Sequence, residues 1–473
     1  ADGSPAAASD TPSPSPTPSS TPAPTTAPPT DPPTATPSPT PSATATATAT
    51  PAEPAVAREL VAHLRAGEFG AAHAMFTPDL ASAVTRPALE RYWLGLRAQH
   101  GAVETVGSVE TTTRQGSAVA LVPVECAHGS AGVEVAAAGD GRVGGLWFPG
   151  EYSAPEYADD AAVTERTLAL DLEGCSLPAT LTVPADAGAS DSDSGTATPS
   201  GTAAESGVPG VVLVHGSGAH DRDETIGPNK PLRDIAHGLA TRGVAVLRYD
   251  KRTYACDVAR AEWAIDDIVV DDAVHALGVL RDQPEIDPER TVVAGHSVGG
   301  TCVPRIAERD GEVAGGAVLA GNARPFTEVY PEQVRHLFEV QGGLSAQEEQ
   351  QLAAVKRLMS AVESGSVADD RPVGSLPGIW WKTLFEYDQL ATANRVDADF
   401  FVAHGGRDFQ IPVDPALSGW REALDDANRF ERYPDCSHLF QPGTEPSLTT
   451  EYVFADNVTR ELVVDLAEWT TGL

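Results

Sequence analysis

The chain holds 473 residues, with 32 Lys and Arg against 67 Asp and Glu, a formal charge of −35 at pH 7. Only four of those acids lie in the first 54 residues. The foldable part is therefore strongly acidic, which argues against a nucleic-acid partner, whose binding needs a basic face, and against docking on an anionic membrane. No apolar run approaches the roughly 18–20 residues that span a bilayer. Five scattered cysteines without a CxxC pair suggest neither a metal centre nor a disulfide scaffold. One or two bridges fit an exported protein, with at least one thiol left over.

Residues 1–54 read as a disordered tail. The first fifty use six residue types (Ala, Asp, Gly, Ser, Pro and Thr), 14 of them proline, so no large apolar side chain offsets the entropy of ordering. Proline-rich spacers of this kind are extended and semi-stiff. Together with a start at Ala1 rather than Met, the tail suggests a bacterial protein that is secreted or attached to the cell surface, its export signal removed.

Residues 55–150 read as a small α+β domain. Helical apolar spacing at Val56–Ala66, Gly70–Phe76 and Arg86–His100 gives way to alternation at Val103–Val109, Ala118–Cys126, Gly132–Ala138 and Arg142–Trp147. Tyr152–Asp160 reads as a linker. Residues 151–473 form a second domain. Two strands, Thr164–Leu172 and Leu177–Pro184, lead to a Ser/Asp/Gly/Thr-rich segment expected to be a mobile loop, 185–207. Strands Gly210–His215, Val244–Asp250, Arg290–Gly295 and Gly315–Ala320 then alternate with helices Pro231–Arg242, Ile265–Asp282 and Val298–Arg309. That is the pattern of right-handed βαβ units and a mostly parallel, doubly wound sheet. Residues 325–394 read as a helical cap above the carboxyl ends of the strands, where such sheets hold their ligands. The apolar faces carrying Leu337, Leu352, Leu358 and Trp381 are expected to turn toward that crevice. Strands Phe400–Ala403 and Phe430–Tyr433 and a last helix, Val453–Thr470, complete the pattern.

The strongest chemical signal is Gly295-His296-Ser297-Val298-Gly299, which follows a β-branched strand and opens a helix. In that context the turn strains the serine backbone, demands small flanking residues and pushes Oγ clear at the positive end of a helix dipole. A serine nucleophile needs a base, and the base an orienting acid, in the chain order Ser, acid, His. His438 lies in a loop between a strand and the last helix, where a base can protrude; His404 sits inside a strand, where it packs or orients. Asp408 follows a strand end through Gly405-Gly406-Arg407. Asp414 reads as a helix cap, and Asp435 is too near His438 in the same loop. The assignment is Ser297, His438 and Asp408. The oxyanion needs backbone donors: the N–H of Val298, and that of Ser217 in His215-Gly216-Ser217-Gly218, with His215 a structural histidine. Asp221-Arg222-Asp223 and Lys251-Arg252 read as an ion-pair network. In the cap, Trp380, Trp381 and Phe385, with Tyr387, are candidates for lining an acyl pocket.

Val211-Val212-Leu213-Val214-His215-Gly216-Ser217-Gly218, Asp221-Arg222-Asp223-Glu224, Gly227-Pro228-Asn229-Lys230, Leu247-Arg248-Tyr249-Asp250-Lys251-Arg252, Gly406-Arg407-Asp408-Phe409-Gln410 and Ser437-His438-Leu439-Phe440 fall in one order along the chain. In this the sequence resembles the secreted bacterial α/β-hydrolase esterases, which often carry a small N-terminal domain of unknown function. The resemblance spans nearly all of 55–473. It departs at the longer 185–207 segment and at His404, where the family more often has glutamine. It implies an α/β-hydrolase fold and a serine carboxylesterase acting on a small-molecule ester through an acyl-enzyme, with no metal or cofactor. A peptidase or amidase on the same three residues, and a non-catalytic binding protein on the same scaffold, are the rival readings.

Overall fold

Alternate residues of Val211-Val212-Leu213-Val214 point to opposite faces of a sheet, Val211 and Leu213 into one core and Val212 and Val214 into another. All four are buried, as a strand covered on both faces requires. The computed structural model describes residues 53–114, 117–187, 207–340 and 342–473. The expected tail up to residue 52 and most of the expected mobile loop, 188–206, lie outside the described residues.

The N-terminal part holds helices α1 (Glu53–Ala66), α2 (Phe69–Ala74), α3 (Pro78–Ala83) and α4 (Arg86–His100). Strands β1 (Val103–Val106), β2 (Glu110–Arg114), β3 (Ser117–Cys126), β4 (Gly129–Ala137) and β5 (Val143–Trp147) follow. Helix α1 starts three residues ahead of the expected Val56, with Pro54 in its first turn, where a missing N–H costs nothing. Pro78 begins α3, because the Thr77 hydroxyl accepts the Leu80 N–H and caps it. The strands pair antiparallel in the order β1-β3-β4-β5, with β2 on β3. Leu60, Leu64, Leu89, Trp93 and Leu96 pack onto Val122, Val124, Val133 and Val135. This is the expected α+β domain.

The second part runs β6 (Val163–Leu172), β7 (Cys175–Pro184), β8 (Val208–Val214), α5 (Pro231–Ala240), β9 (Ala245–Tyr249), α6 (Arg252–Ala255), α7 (Asp271–Arg281), β10 (Ile286–His296), α8 (Val298–Asp310) and β11 (Gly315–Leu319). The inserted segment holds α9 (Phe326–Val340), α10 (Ala346–Glu363), the short pair β12 (Pro372–Val373) and β13 (Leu376–Pro377), α11 (Gly378–Phe385) and α12 (Gln389–Ala393). Then come β14 (Asp399–Gly405), α13 (Val413–Ala423), β15 (Arg429–Tyr433) and α14 (Arg460–Gly472). Among the described residues eight strands form one sheet, β15-β14-β11-β10-β8-β9-β7-β6. It is parallel from β15 to β9 and antiparallel at the β9-β7-β6 edge. Helices α5 and α14 cover one face and α7, α8 and α13 the other. This is the α/β-hydrolase fold, and no helix among the described residues is long and apolar enough to cross a membrane. Cys175 and Cys256 form a disulfide; Cys126, Cys302 and Cys436 are buried thiols.

Three expectations change. Helices α9 and α10 use their apolar faces on each other, through Val334, Phe338, Leu352 and Val355, so Leu352 does not turn toward the crevice. Tyr152, read as part of a linker, is tied down by donating its hydroxyl to Asp234 at 2.9 Å. The last helix begins at Arg460, not Val453. Residues 449–453 form a tight turn instead, and Phe454 enters the N-terminal core, edge-on to Phe148 at 5.3 Å and to His100 at 5.9 Å. Helix α4 comes so close to this turn that a Cβ at Gly95 would lie 2.5 Å from the Thr450 carbonyl oxygen. Removing the ring that joins the two parts should be costly: Phe454→Ala is expected to lose about 3–5 kcal/mol, read as a lower urea midpoint.

Candidate active site

Ser297 stands between β10 and α8 with φ 54° and ψ −117°, a conformation that a non-glycine residue takes only under strain. The flanking glycines are steric necessities. A Cβ at Gly295 would meet the Gly299 carbonyl at 2.3 Å, and one at Gly299 would meet the Val214 oxygen at 2.5 Å. The Ser297 N–H donates to the Leu319 carbonyl at 2.8 Å, which pins the turn to β11. The N–H of Val298 belongs to the first turn of α8, where backbone donors have no partner inside the helix.

His438 and Asp408 meet: the imidazole Nδ1–H donates to Asp408 Oδ2 at 2.7 Å, and both side chains are buried. The other oxygen, Oδ1, accepts the N–H groups of Gln410 and Ile411 at 2.8 and 2.9 Å, so the loop after β14 holds the carboxylate in place. Asp414 lies instead in the first turn of α13, exposed and paired with Arg432, and Asp435 is exposed in its loop. His404 is fully buried in β14; burial pushes its pKa down to about 4 despite the nearby Asp408, so it stays neutral.

The Gly216-Ser217-Gly218 loop packs against Ser297, since a Cβ at Gly216 would lie 3.1 Å from that of Ser297. Three polar contacts hold it. The Gly216 N–H donates to Glu224 Oε1 at 2.8 Å, the Lys251 ammonium donates to the Gly216 carbonyl at 2.6 Å, and the His220 ring donates to the Ser217 carbonyl at 2.6 Å. In a trans peptide the carbonyl and the next N–H point in opposite directions. Anchoring the Gly216 oxygen therefore fixes the direction of the Ser217 N–H. Lys251 is fully buried, and desolvation pulls its pKa down to about 8 against the opposing pull of Glu224. His215 packs edge-on to Tyr249 at 5.2 Å, and burial takes its pKa to about 3. Sequence reading placed Lys251 in an ion-pair network or at the pocket mouth and passed over Glu224 in an acidic run.

A narrow cleft opens at Ser297, walled by Val298, Phe326, Leu384 and Ile411, with Arg324 and Gln389 also lining it. Trp380 and Trp381, 0 and 3% exposed, do not line the cleft; they pack behind Phe326, against which Trp381 stacks at 5.4 Å. Phe385 is half-buried and does not line the cleft, whereas its neighbour Leu384 does. Successive residues of a helix are turned by about 100°, so a one-residue offset changes which side chain faces the cleft at Ser297.

Residues 57–146 match a family described as a protein of unknown function, DUF3887, and residues 210–442 match one described as serine aminopeptidase, S33. The chain is 28% identical over 415 residues to esterase EstD of Thermotoga maritima, covering 86% of this chain and 93% of that protein. Among solved structures, Est1E from Butyrivibrio proteoclasticus is similar at 16% identity and a TM-score of 0.40, over 65% of this chain and 99% of that one. Dipeptidyl peptidase 4 of Porphyromonas gingivalis is similar at 14% identity and a TM-score of 0.41, over 78% of this chain and 44% of that one.

Two outcomes follow from this geometry. Gly299→Ala drives a methyl group into the Val214 carbonyl, so it should destabilise by about 1–3 kcal/mol and shift the turn that carries Ser297; thermal unfolding and an ester assay read both. His404 and His215 refuse a proton that the unfolded chain accepts below pH 6.5, so stability falls as pH drops below that value, by about 1.4 kcal/mol per unit for each ring until its own pKa is reached. His404→Gln removes one of these contributions. Its stability relative to the parent should therefore improve by about 1 kcal/mol between pH 7.5 and pH 5.5 in urea unfolding.

Proposed function

We propose that this chain, an α/β-hydrolase with a DUF3887 domain ahead of it, is a serine carboxylesterase in which Ser297, His438 and Asp408 act together. The observation that carries the reading is the buried Asp408–His438 hydrogen bond beside a strained serine turn that opens onto the cleft. Ser297 Oγ attacks the ester carbonyl while His438 Nε2 takes its proton, and Asp408 keeps the Nδ1–H tautomer in place. The oxyanion is bound by the N–H groups of Ser217 and Val298. His438 then returns the proton to the leaving alcohol as the acyl-enzyme forms; water, deprotonated by the same ring, attacks the acyl carbon, and the ring gives that proton to Ser297 Oγ as the acid leaves.

Esters are favoured over amino-terminal peptide substrates by what the cleft lacks. An aminopeptidase must hold a free ammonium group, yet no carboxylate lines the cleft among the described residues, and its one cation, Arg324, is already paired with Glu332. The relative named as an esterase supports the same choice. The small cleft, closed by Phe326, Leu384 and Ile411, suits a short acyl group. The Cys175–Cys256 bridge supports an oxidising, extracellular location, secreted or at the cell surface.

Ser297→Ala should lower kcat on p-nitrophenyl butyrate by about 10⁴–10⁶-fold without changing Tm, and His438→Ala should nearly match it. Cleavage of peptide anilides as fast as of short esters would overturn the assignment in favour of a peptidase. Leu384→Ala should raise kcat/KM on octanoyl relative to acetyl esters several-fold. Trp381→Ala, whose ring belongs to the core, should lower Tm and leave that ratio unchanged.

A further inference from the structure

We propose that Glu224 and His296 are positioning residues, a buried pair that locks the oxyanion loop, the serine turn and the base's own backbone into one unit. The assay used to test this rests on the esterase reading above; the geometry does not.

Both side chains are almost fully buried, Glu224 at 1% and His296 at 5% exposure. His296 Nδ1 lies 3.1 Å from both Glu224 oxygens, and its Nε2 lies 3.0 Å from the His438 carbonyl. A carbonyl can only accept, so Nε2 carries a proton. Glu224 also accepts the Gly216 N–H, and His296 and His220 hold its carboxyl well below the usual range, so it too only accepts and Nδ1 is protonated as well. His296 is therefore an imidazolium, and its pKa is raised because the attraction of Glu224 outweighs burial.

The connections of this pair reach each part of the proposed machinery. Through Gly216 it holds the peptide next to the Ser217 N–H. His296 is bonded directly to Ser297. Through the His438 carbonyl it holds the backbone of the base, whose ring lies 4.8 Å from the His296 ring. Glu224 reaches its place by adopting φ 52°, a left-handed conformation that is costly for a residue with a side chain. A buried ion pair is a poor source of stability, because desolvation cancels most of the attraction and an apolar pair often does as well. What an apolar pair could not do is join three backbone segments at 216, 296 and 438.

The test compares Glu224→Leu and Glu224→Gln on p-nitrophenyl butyrate. Leucine removes every contact. Glutamine keeps them with a neutral ring: its oxygen accepts the Gly216 N–H, its amide donates to Nδ1, and Nε2–H stays on the His438 carbonyl. Glu224→Leu should lose 100-fold or more in kcat, comparable to removing an oxyanion donor, with KM changed less than threefold. Glu224→Gln should recover at least tenfold of that loss. The ratio of rates on a thionoester and its oxygen ester, which reports donor placement at the oxyanion, should rise in the leucine variant and return toward the parent value in the glutamine one. Stoichiometric labelling by a serine-directed phosphonate counts folded sites. If Glu224→Leu does not fold, His296→Asn, which withdraws the contact to the His438 carbonyl, should show the same loss in kcat. A folded, fully labelled Glu224→Leu with kcat within threefold of the parent overturns the proposal, as does a glutamine variant no better than leucine. A parent protein that reacts with phosphonate but hydrolyses no ester would refute the esterase reading alone, and the phosphonylation rates of the same variants would still decide the role of the pair.

Discussion

The backbone at the end of β10 passes so close to its neighbours that no β-carbon fits at 295 or 299, and the rest of the site is arranged around that contact. Pressed against the ends of β8 and β11, the chain has to reverse into α8 within one residue, and Ser297 absorbs the turn with a positive φ. The strain is bearable because the sheet on either side is rigid. Val211, Val212, Val292 and Val293 are wholly buried between two layers of helices. The strained turn at Ser297 and the place of Val298 at the start of α8 are thus consequences of packing, delivered by the part of the molecule least able to move.

A strongly acidic chain must place its few cations with care, and several are spent around the carboxyl ends of β8 and β9. Arg248 bridges Asp223 and Glu165, Arg222 grips Asp250 through both of its oxygens, and Arg252 holds the buried Asp272. Removing one partner from such a pair leaves an uncompensated buried charge, which is far worse than never having had the pair. Lys251 differs from these. Its hydrogen bond goes to a backbone carbonyl, and it shapes a loop rather than neutralising an acid.

The N-terminal domain is not a detached appendage. Arg407, the residue before Asp408, is buried and donates to the carboxylate of Glu451 at 2.7 Å and to the Thr444 carbonyl at 2.6 Å. The same 444–454 stretch docks on α4: Thr444 donates its hydroxyl to the Arg97 carbonyl, Thr450 to that of Arg91, and Phe454 fills the far core. The loop that positions Asp408 is therefore braced from behind by a surface that both domains build.

What the sequence determined by itself are the features written in neighbouring residues. β-Branched runs alternating with helical periodicity specify the sheet and its layers, because burial on both faces demands them. Gly-x-Ser-x-Gly marks the turn, since only glycine fits its flanks. The placement of His438 in a loop and of His404 inside a strand separated the ring that pairs with Asp408 from the one packed within the sheet. Other features depended on which distant segments meet, and these only the tertiary structure decided. Glu224 and His296 are 72 residues apart, and His296 and His438 are 142 apart, so no local pattern announces their contact. The exchange of Trp380, Trp381 and Phe385 for Leu384 and Phe326 at the cleft turns on the phase of one short helix against its neighbours. Residues 453–459 carry a helical apolar spacing, yet they leave the helix because burying Phe454 in the other domain is worth more than about two further turns.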